Sequence, residues 1–463
     1  MKHYDLVIVG GSVGCLVAAV QSARTGKRVK LFLPERGVGS GFGARPFKGR
    51  RLDIGTRVFD LNAPPKSSSP ASSLDKYRGN EDFRLFMPHI RAFVEELLQG
   101  AVEDLPPAQL SYGGKLVPEF LASLDLSSLP QLLNQHQIAQ VREETAEILV
   151  HELNGTPVLG RSSELNFAGL GYQLLSLANH GKSFHDLFIA PYSAKIYPEN
   201  WQEVPADLRH KIWSPIFYPK TLNQACDGRL ERGRETLTFS TVRDGDFGVF
   251  VDRLMTRIEA APDIELDRFS KFLGLAPEAG GHSLSFEGQE IPARVSGQLV
   301  LGLSVADIVA LNGHSAEIDM LSLGVAWAEV SESDINSAAS YVTVHDPDNP
   351  AYRLSFGGSG APSGKRIANV ELSCRVPRED YETAVRFALE QSGILREGAA
   401  IEMLDGIAGV RIPAPTQRNR LSLEQAKQRL SDNGVEADYI GTARDMSRDI
   451  LNQHILQGLA LAT

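Results

Sequence analysis

The chain has 463 residues, which is more than one ordinary hydrophobic core needs, so we expect two or three folding units. Apolar residues make up 42% and charged residues 22% of the chain, values typical of a globular protein and not of a disordered one. The 57 acidic residues exceed the 47 Lys and Arg residues, and the resulting formal charge of -10, without any Lys/Arg-rich run, argues against a nucleic-acid partner.

The three cysteines, Cys15, Cys226 and Cys374, lack the paired spacing of a zinc site or a disulfide scaffold. A reducing cytoplasm is therefore the expected location. Glycines at 10, 11 and 14 interrupt the N-terminal apolar run, which disfavours a signal peptide, and no apolar run of about 20 residues predicts a membrane span. The histidines are scattered, so no metal site is expected. A homo-oligomer is compatible with the sequence.

The first elements predict a βαβ unit. Leu6–Val9 is a short apolar run typical of a buried parallel strand, and residues 16–23 carry Leu, Val and Ala at helical spacing before Gly26. "RVKLFL", Arg28–Leu33, predicts the second strand. The order strand, glycine turn, helix and strand indicates a Rossmann-like unit.

The turn of this unit allows two interpretations. Gly10-Gly11-Ser12-Val13-Gly14 satisfies G-x-S-x-G, the nucleophile elbow, which would make Ser12 catalytic. An elbow follows a central strand, however, and here it would follow the first. The same residues form an altered G-x-G-x-x-G turn, which places a dinucleotide pyrophosphate on a helix N-terminus, and this interpretation is favoured.

The dinucleotide signature is altered at three positions. Gly10 fits the tight-turn glycine, but Ser12 and Cys15 replace the other two glycines. A ribose-binding acid is expected about 20 residues further on. Leu33 occupies that position, and Glu35 comes two residues later. A Rossmann-like turn that binds no ligand therefore stays open as an alternative.

The middle of the chain predicts a second kind of architecture. "NAPPKSSSPASS", residues 62–73, predicts a loop or lid. Amphipathic patterns predict helices over 83–97 and 132–153, so that residues 77–157 are expected to be mainly helical. Strands are expected around Val300 and from Ser340 to Leu372. Later helices are expected over 379–391 and 422–430, the second starting at a Ser-x-x-Gln capping box.

Several segments resemble the flavin amine oxidase superfamily, which includes protoporphyrinogen oxidases, phytoene desaturases and UDP-galactopyranose mutases. "GVGSGFGARPFKGRRLDIGTRVF", Gly37–Phe59, resembles its second glycine patch and D-x-G element. Ser40 and Gly41 stand where a Gly-Gly pair is usual, and Asp53 and Gly55 match the acid and glycine that follow. In the family this stretch lies along the flavin.

Three later segments extend the resemblance in the family's order. "PYSAK", Pro191–Lys195, resembles its P-Y-x-x-K element, within an aromatic segment that is either a ligand-facing wall or ordinary packing. "VRDGDFGVFVDRL", Val242–Leu254, resembles the turn and helix that return to the FAD domain, followed by the strand beside the adenine. "DYIGTARDMSRDILNQHILQGLALA", Asp438–Ala462, resembles the closing element, in which Gly441 matches the glycine, with Arg444 and Asp445 nearest to the usual charged partner.

The resemblance implies an α/β fold in which a Rossmann-like FAD-binding domain, with a parallel sheet covered on both faces, carries an inserted mixed α+β substrate domain. The FAD domain would comprise 1–75, 235–300 and 410–463, and the substrate or cap domain 76–234 and 301–409. The implied FAD-binding residues are Gly10, Ser12, Gly14, Glu35, Ser40, Gly41, Gly55, Thr56, Arg57, Gly441 and Thr442. The substrate-side candidates are Lys195, Tyr218, Arg411 and Asn419.

Three functions remain open at this point. The first is an FAD-dependent oxidoreductase, an amine oxidase-like oxidase, dehydrogenase or desaturase, that acts on a small-molecule metabolite. The second is a mutase-like flavoenzyme that acts on a nucleotide sugar without net redox change. The third is a relative that retains the fold as a binding or assembly protein and has a weakened or lost cofactor site, for which Ser12, Cys15 and Leu33 are the evidence.

Overall fold

The structure is a computed structural model of the full chain. The structure describes residues 2–61, 72–78, 83–153, 170–230, 238–243, 245–290, 292–315, 317–446 and 450–462. Most of the predicted loop over 62–73 lies outside these residues. No helix in the described ranges is long and apolar enough to cross a membrane.

The described residues form strands and helices throughout the chain. The strands are β1 (Lys2–Val9), β2 (Val29–Pro34), β3 (Arg45–Phe47), β4 (Arg50–Leu52), β5 (Val102–Leu105), β6 (Gln109–Tyr112), β7 (Lys115–Pro118), β8 (Phe239–Val242), β9 (Ile264–Phe269), β10 (Phe272–Glu278), β11 (Gly281–Phe286), β12 (Ala293–Leu301), β13 (Met320–Ser331), β14 (Tyr341–Val344), β15 (Ala351–Phe356), β16 (Lys365–Leu372), β17 (Ile401–Pro413) and β18 (Asp438–Tyr439). The helices are α1 (Val13–Arg24), α2 (Met87–Leu97), α3 (Gln135–Leu153), α4 (Tyr172–Phe184), α5 (Ala190–Ile196), α6 (Pro219–Cys226), α7 (Gly248–Ala260), α8 (Val305–Ala310), α9 (Tyr381–Gln391), α10 (Gln417–Asp432), α11 (Thr442–Asp445) and α12 (Leu451–Ala462).

The chain divides into two compact units, each assembled from separate segments. The first unit comprises 1–104, 240–319 and 418–463, and the second comprises 105–239 and 320–417. Residues 76–104 and 301–319 thus belong to the first unit. The assignment of cofactor and substrate roles to such units stays a prediction.

The first unit is built on a mixed sheet in the order β10-β11-β12-β1-β2-β9, and β18 pairs with the end of β12. The pairs β12–β1, β1–β2, β2–β9 and β12–β18 are parallel, whereas β10–β11 and β11–β12 are antiparallel. The predicted parallel sheet is therefore present at the centre, and the antiparallel edge departs from it. The C-terminal halves of β1 and β2, residues 6–9 and 31–33, are buried, as their uninterrupted apolar sequences require.

The second unit contains a seven-stranded sheet in the order β17-β13-β16-β15-β14-β6-β7. All neighbouring strands in it are antiparallel except β14 and β6. The core of this unit includes β13, β16 and the apolar face of α9. The edge strand β17 shifts register twice against β13. Irregularities of this kind discourage pairing with another chain.

The expectation of a mainly helical segment over 77–157 is wrong in part. The helices α2 and α3 are present, but β5, β6 and β7 lie between them. The turn of the β6–β7 hairpin contains Gly113 and Gly114, both with positive φ, of 58° and 70°. A Gly-Gly pair between short alternating segments favours a tight hairpin, and this signal decides the local structure over 109–118.

The expected start of a helix at the Ser422 capping box is also wrong. The helix α10 begins at Gln417, five residues earlier, so Ser422 lies inside it. Pro413 and Pro415 precede the helix, and proline is common just before a helix because it lacks the N–H group that the helix interior needs. The strands expected around Val300 and over 340–372 are present as β12, β14, β15 and β16.

Candidate functional site

The turn after β1, residues Gly10–Gly14, is called the phosphate turn below. Gly10 has a φ of 138°, and a Cβ atom at this position would lie 2.4 Å from the carbonyl oxygen of Gly302. Its N–H donates to Phe32 O at 3.0 Å, and the N–H of Gly302 donates to Val9 O at 2.9 Å. The ends of β1, β2 and β12 are therefore held so closely that only glycine fits at position 10.

Ser12 is the N-cap residue of α1. Its backbone is extended, and its side-chain oxygen accepts a hydrogen bond from the N–H of Cys15 at 3.4 Å. The hydroxyl is thus engaged in holding the helix start. It is also buried, with 6% of the residue exposed. These contacts account for Ser12 without a nucleophilic role.

Cys15, in α1, is accommodated by a glycine that is distant in sequence. A Cβ atom on Gly302, which follows β12, would lie 2.0 Å from the Cys15 Sγ. The missing side chain at position 302 therefore provides the space that Cys15 occupies, in place of a glycine at position 15. Burial raises the pKa of the Cys15 thiol to about 11, so the thiol stays protonated.

The phosphate turn leaves four successive backbone donors without an acceptor. Residues Gly11 to Gly14 are buried, and among the described residues no hydrogen-bond acceptor is found for their N–H groups. Buried donors are normally paired, and at a helix N-terminus an anion is the natural acceptor. The turn therefore fits a pyrophosphate group.

The chain around Gly441 lies against this turn. Gly441 has a φ of 71°, its N–H donates to Gln457 Oε1 at 2.7 Å, and its Cβ position lies 3.7 Å from Ser12 Oγ. The α12 helix packs on α1 without a gap, since a Cβ atom on Gly458 would lie 2.5 Å from Gly14 O. Gly10, Ser12, Gly14 and Gly441 are thus brought together. Thr442 follows Gly441 as the first residue of α11.

A second group of contacts surrounds Phe42. Ser40 has a φ of 54°, which is uncommon outside glycine, at the place where the family has a glycine pair. The Arg57 guanidinium lies 5.2 Å from the centre of the Phe42 ring and 3.3 Å from the Cβ position of Gly41. The ring of His454 contacts Phe42 at 5.9 Å between ring centres. Arg57 thus occupies the space beside Gly41.

The D-x-G element binds the segment that returns to the first unit. Asp53 Oδ1 accepts a hydrogen bond from the N–H of Phe247 at 2.9 Å. Arg51 forms ion pairs with Asp246 at 3.1 Å and Asp252 at 2.6 Å. Gly55 has a φ of 78° and leads to Thr56, whose carbonyl oxygen accepts from Arg57. These contacts bring together two segments that the resemblance had matched separately.

Glu35 lies on the exposed side of this region. Its N–H donates to Phe269 O at 2.9 Å, which extends the pairing of β2 with β9, and the residue is exposed. Leu33 is fully buried.

The four substrate-side candidates lie on separate elements. Lys195 Nζ, in α5, donates to Val344 O at 2.9 Å and Ala351 O at 3.0 Å, and burial lowers its pKa to about 7. Tyr218 precedes α6 and is 46% exposed. Arg411 is an exposed residue of β17. Asn419 belongs to the first unit, where its side-chain amide bonds both the N–H and the carbonyl of Asp319.

The aromatic residues near Lys195 pack against other side chains of the second unit. Tyr192 stacks on His345, with 4.6 Å between ring centres. Trp213 has a φ of 49°, stacks on Tyr352 and carries the Arg353 guanidinium 4.5 Å from its ring centre. Arg353 in turn forms a buried ion pair with Glu371 at 2.7 Å. Packing therefore accounts for Tyr192, while Trp213 is in a strained conformation of the kind that clusters at functional sites.

Sequence reasoning missed Phe42, Phe247, Gly302, His454 and Gln457. Gly302 could have been found from the sequence. It directly follows a predicted strand, as Gly10 does, and the carboxyl ends of neighbouring parallel strands lie at the same edge of a sheet. The contacts of His454 and Gln457 depend on how α12 packs against α1, which no local pattern specifies. Within the described residues, no group of three or more His, Cys, Asp or Glu side chains could hold a metal ion.

Comparison with known proteins supports the fold. No protein-family model matches the sequence, and no curated protein matches it. Among solved structures, a reduced UDP-galactopyranose mutase matches with a TM-score of 0.70 and 15% identity, over 99% of this chain and 94% of that one. The crystal structure of a putative protoporphyrinogen oxidase from Exiguobacterium sp. 255-15 matches with a TM-score of 0.60 and 14% identity, over 100% of this chain and 98% of that one.

A third structure, a putrescine oxidase variant redesigned in its cofactor binding, matches with a TM-score of 0.54 and 10% identity, over 99% of this chain and 97% of that one. At such identities these likenesses establish the fold alone. They cover almost the whole chain, and the resemblance expected from the sequence is confirmed at that level. The chain has the fold that these three solved structures share.

Proposed function

We propose that the first unit binds FAD and that the protein is a flavoenzyme. The observation that carries this proposal is the row of buried N–H groups from Gly11 to Gly14 at the N-terminus of α1, which have no acceptor in the described parts of the chain. A pyrophosphate would satisfy these donors and would lie in the field of the helix dipole. The similar folds of a reduced mutase and two oxidases support a flavin as the rest of the ligand.

The residues of this chain have separate roles in the proposal. Gly10 and Gly14 permit the close backbone approach, and Ser12 fixes the start of α1 so that its N–H groups point one way. Ser40, Gly41, Gly55, Thr56 and Arg57, with Gly441 and Thr442, are proposed neighbours of the flavin. When bound, the flavin supplies the electron-transfer chemistry, and the protein supplies orientation and charge.

The proposed reaction is oxidation or desaturation of a small-molecule metabolite. Lys195 is proposed as a positioning residue, because two of its three donors are engaged with the carbonyl groups at the two ends of the segment 345–350. Tyr218 and Arg411 are more accessible and are the proposed substrate contacts. Asn419, whose amide bonds the backbone of Asp319, is proposed to hold the first unit together.

The phosphate turn can be tested with a matched pair of variants. Ser12→Asn keeps a side chain that caps a helix, and Ser12→Asp keeps the cap and adds a negative charge at the proposed pyrophosphate. We expect the wild type and Ser12→Asn to bind FAD, and Ser12→Asp to bind it at least about tenfold more weakly and so to retain less flavin through purification, because a charge repulsion of about 1.4 kcal/mol raises the dissociation constant tenfold. Flavin absorption and mass spectrometry of the released cofactor provide the measurement.

Two outcomes would contradict the proposal. Equal flavin content in both variants would remove the phosphate turn from the site. A wild-type protein that binds no FAD after purification and reconstitution would instead support a binding or assembly protein that keeps only the fold.

A mutase-like reaction is the second candidate. It is favoured by the similarity of the fold to that of a reduced UDP-galactopyranose mutase, at a TM-score of 0.70. The test is to incubate the protein with UDP-galactopyranose, with the flavin either oxidised or chemically reduced. Ring isomerisation in the reduced state alone, without net consumption of electrons, would favour the mutase. Stoichiometric reoxidation by a substrate or oxygen would favour the oxidoreductase.

A further inference from the structure

The end of β2 is where a dinucleotide site of this topology carries a carboxylate for the ribose hydroxyls. Leu33 stands at that position and is fully buried. The next residue, Pro34, lies against the phosphate turn, since its ring atoms are 2.9 Å from the Cβ position of Gly11. Neither Leu33 nor Pro34 therefore offers a polar side chain to a ribose at this end of β2.

The neighbouring strand offers no substitute carboxylate on the same face. In parallel pairing, residues in register share a face of the sheet, and Leu33 is in register with Arg268. Asp267 is in register with Phe32 and so lies on the opposite face, where it forms an ion pair with Lys30 at 2.6 Å. The residue that shares the face of Leu33 is thus a cation.

Glu35 is the other acid close in sequence. It lies two residues beyond Leu33, which is about 6.6 Å further along an extended strand. Its N–H is paired with Phe269 O, so the backbone at Glu35 is held in place and the side chain is exposed. A carboxylate at this distance from the usual position is poorly placed for the ribose.

We infer that the site binds FAD without a carboxylate contact to the adenosine ribose, so that the pyrophosphate and flavin halves provide most of the affinity. This inference rests on the proposed function. Its consequence is a cofactor that is bound weakly on the adenosine side and exchanges with free FAD. A hydrogen bond to a charged acceptor is among the stronger single contacts, so its absence has a measurable effect on affinity.

The direct test uses the wild-type apoprotein and two ligands, FAD and its 2′-deoxyadenosine analogue. We expect dissociation constants within about threefold of each other, measured by quenching of flavin fluorescence. A preference for FAD of tenfold or more would show that the hydroxyl is recognised and would overturn the inference while leaving the proposed function intact. If neither ligand binds, the proposed function fails, and the inference fails with it.

A pair of variants tests the same point by adding the carboxylate. Leu33→Glu is expected to bind FAD about tenfold more tightly than Leu33→Gln, and to acquire a preference for FAD over the deoxy analogue. Circular dichroism establishes that both variants fold. If folded Leu33→Glu shows no such preference, position 33 does not face the ribose and the inference is wrong. If either variant fails to fold, the wild-type comparison still decides.

Discussion

The phosphate turn of the first unit and the surroundings of Lys195 in the second unit differ in whether their buried polar groups have hydrogen-bond partners. In the turn, no acceptor among the residues that the structure describes pairs with the buried backbone N–H groups from Gly11 to Gly14. Around Lys195, the side-chain amine is hydrogen-bonded to the protein's own carbonyl groups, at Val344 and Ala351. A site prepared for a ligand leaves polar groups available, whereas a structural contact consumes them.

Backbone geometry, and not a charged side chain, therefore marks the first unit as the place of the candidate ligand site. The conformation of the turn depends on glycines, so substitution of a glycine should disrupt it. The contacts of Lys195 depend on one buried amine, so removal or a change in protonation of that amine should disrupt them.

The largest effect is expected from Gly10→Ala. The new Cβ atom would meet Gly302 O at 2.4 Å, and a φ of 138° is strained for alanine, so we expect a loss of about 3 kcal/mol in the free energy of unfolding together with loss of bound flavin. Gly26→Ala is the matched control, because Gly26 also has a positive φ, 80°, but no neighbouring atom within 4 Å of its Cβ position. Denaturant unfolding measures both variants, and similar losses would mean that the close approach at Gly10 is unimportant.

A smaller effect is expected from Lys195→Met. The variant leaves the carbonyl groups of Val344 and Ala351 without their donor and should lower the free energy of unfolding by about 2 kcal/mol. Lys220→Met, at an exposed position, should change it by less than about 0.5 kcal/mol. If Lys195→Met abolishes turnover at unchanged stability, Lys195 has a direct catalytic role and the contrast between the two regions fails.

The pH dependence of stability sharpens the same contrast. The pKa of Lys195 is lowered from 10.5 to about 7 by burial, so between these pH values the unfolded chain binds more protons than the folded protein. The free energy of unfolding should therefore rise from pH 7 towards pH 10, with a smaller contribution from Lys427, whose pKa is lowered to about 8. Lys195→Met should flatten most of this rise. An unchanged profile would mean that Lys195 is protonated in the folded protein over this range.

The smallest effect is expected at an ion-pair cluster in the first unit. Glu265 bonds Lys30 at 2.9 Å and Tyr4 at 2.7 Å, and these hydrogen bonds lower its pKa to about 2. Its stabilising contribution is present above the ordinary pKa of 4.5 and is lost as the pH falls towards 2. Because the side chain is 42% exposed, Glu265→Gln should cost less than about 1 kcal/mol at pH 7. A loss that persists unchanged at pH 2 would point to packing instead of charge.

The sequence predicted the parts of the fold that depend on local patterns. The βαβ unit, the helices α2, α3 and α9, and the strands near Val300 follow from apolar spacing, and all are present. The Gly113-Gly114 pair is a local signal for a hairpin, and it outweighs the helical pattern expected over 77–157. The start of α10 was misplaced because a capping box also occurs inside helices.

The candidate site could be predicted from the sequence only where its residues are neighbours along the chain. Gly10, Ser12 and Gly14 lie together because they are neighbours in sequence. Their contact with Gly441 and the position of Arg57 beside Gly41 depend on the packing of distant segments. Such contacts leave no periodic signal, so the resemblance to a known order of motifs was the only guide to them.

The exchange between Cys15 and Gly302 has a wider consequence for recognising such sites. One small residue is needed where α1 meets the end of β12, and either position can supply it, because the Cys15 Sγ fills the space that a Cβ atom on Gly302 would take. A search that reads the glycines along one strand and turn penalises this chain for Cys15 and gives it no credit for Gly302. A pattern defined on contacting pairs between the first helix and the neighbouring strand end would detect distant members of such folds that linear signatures reject.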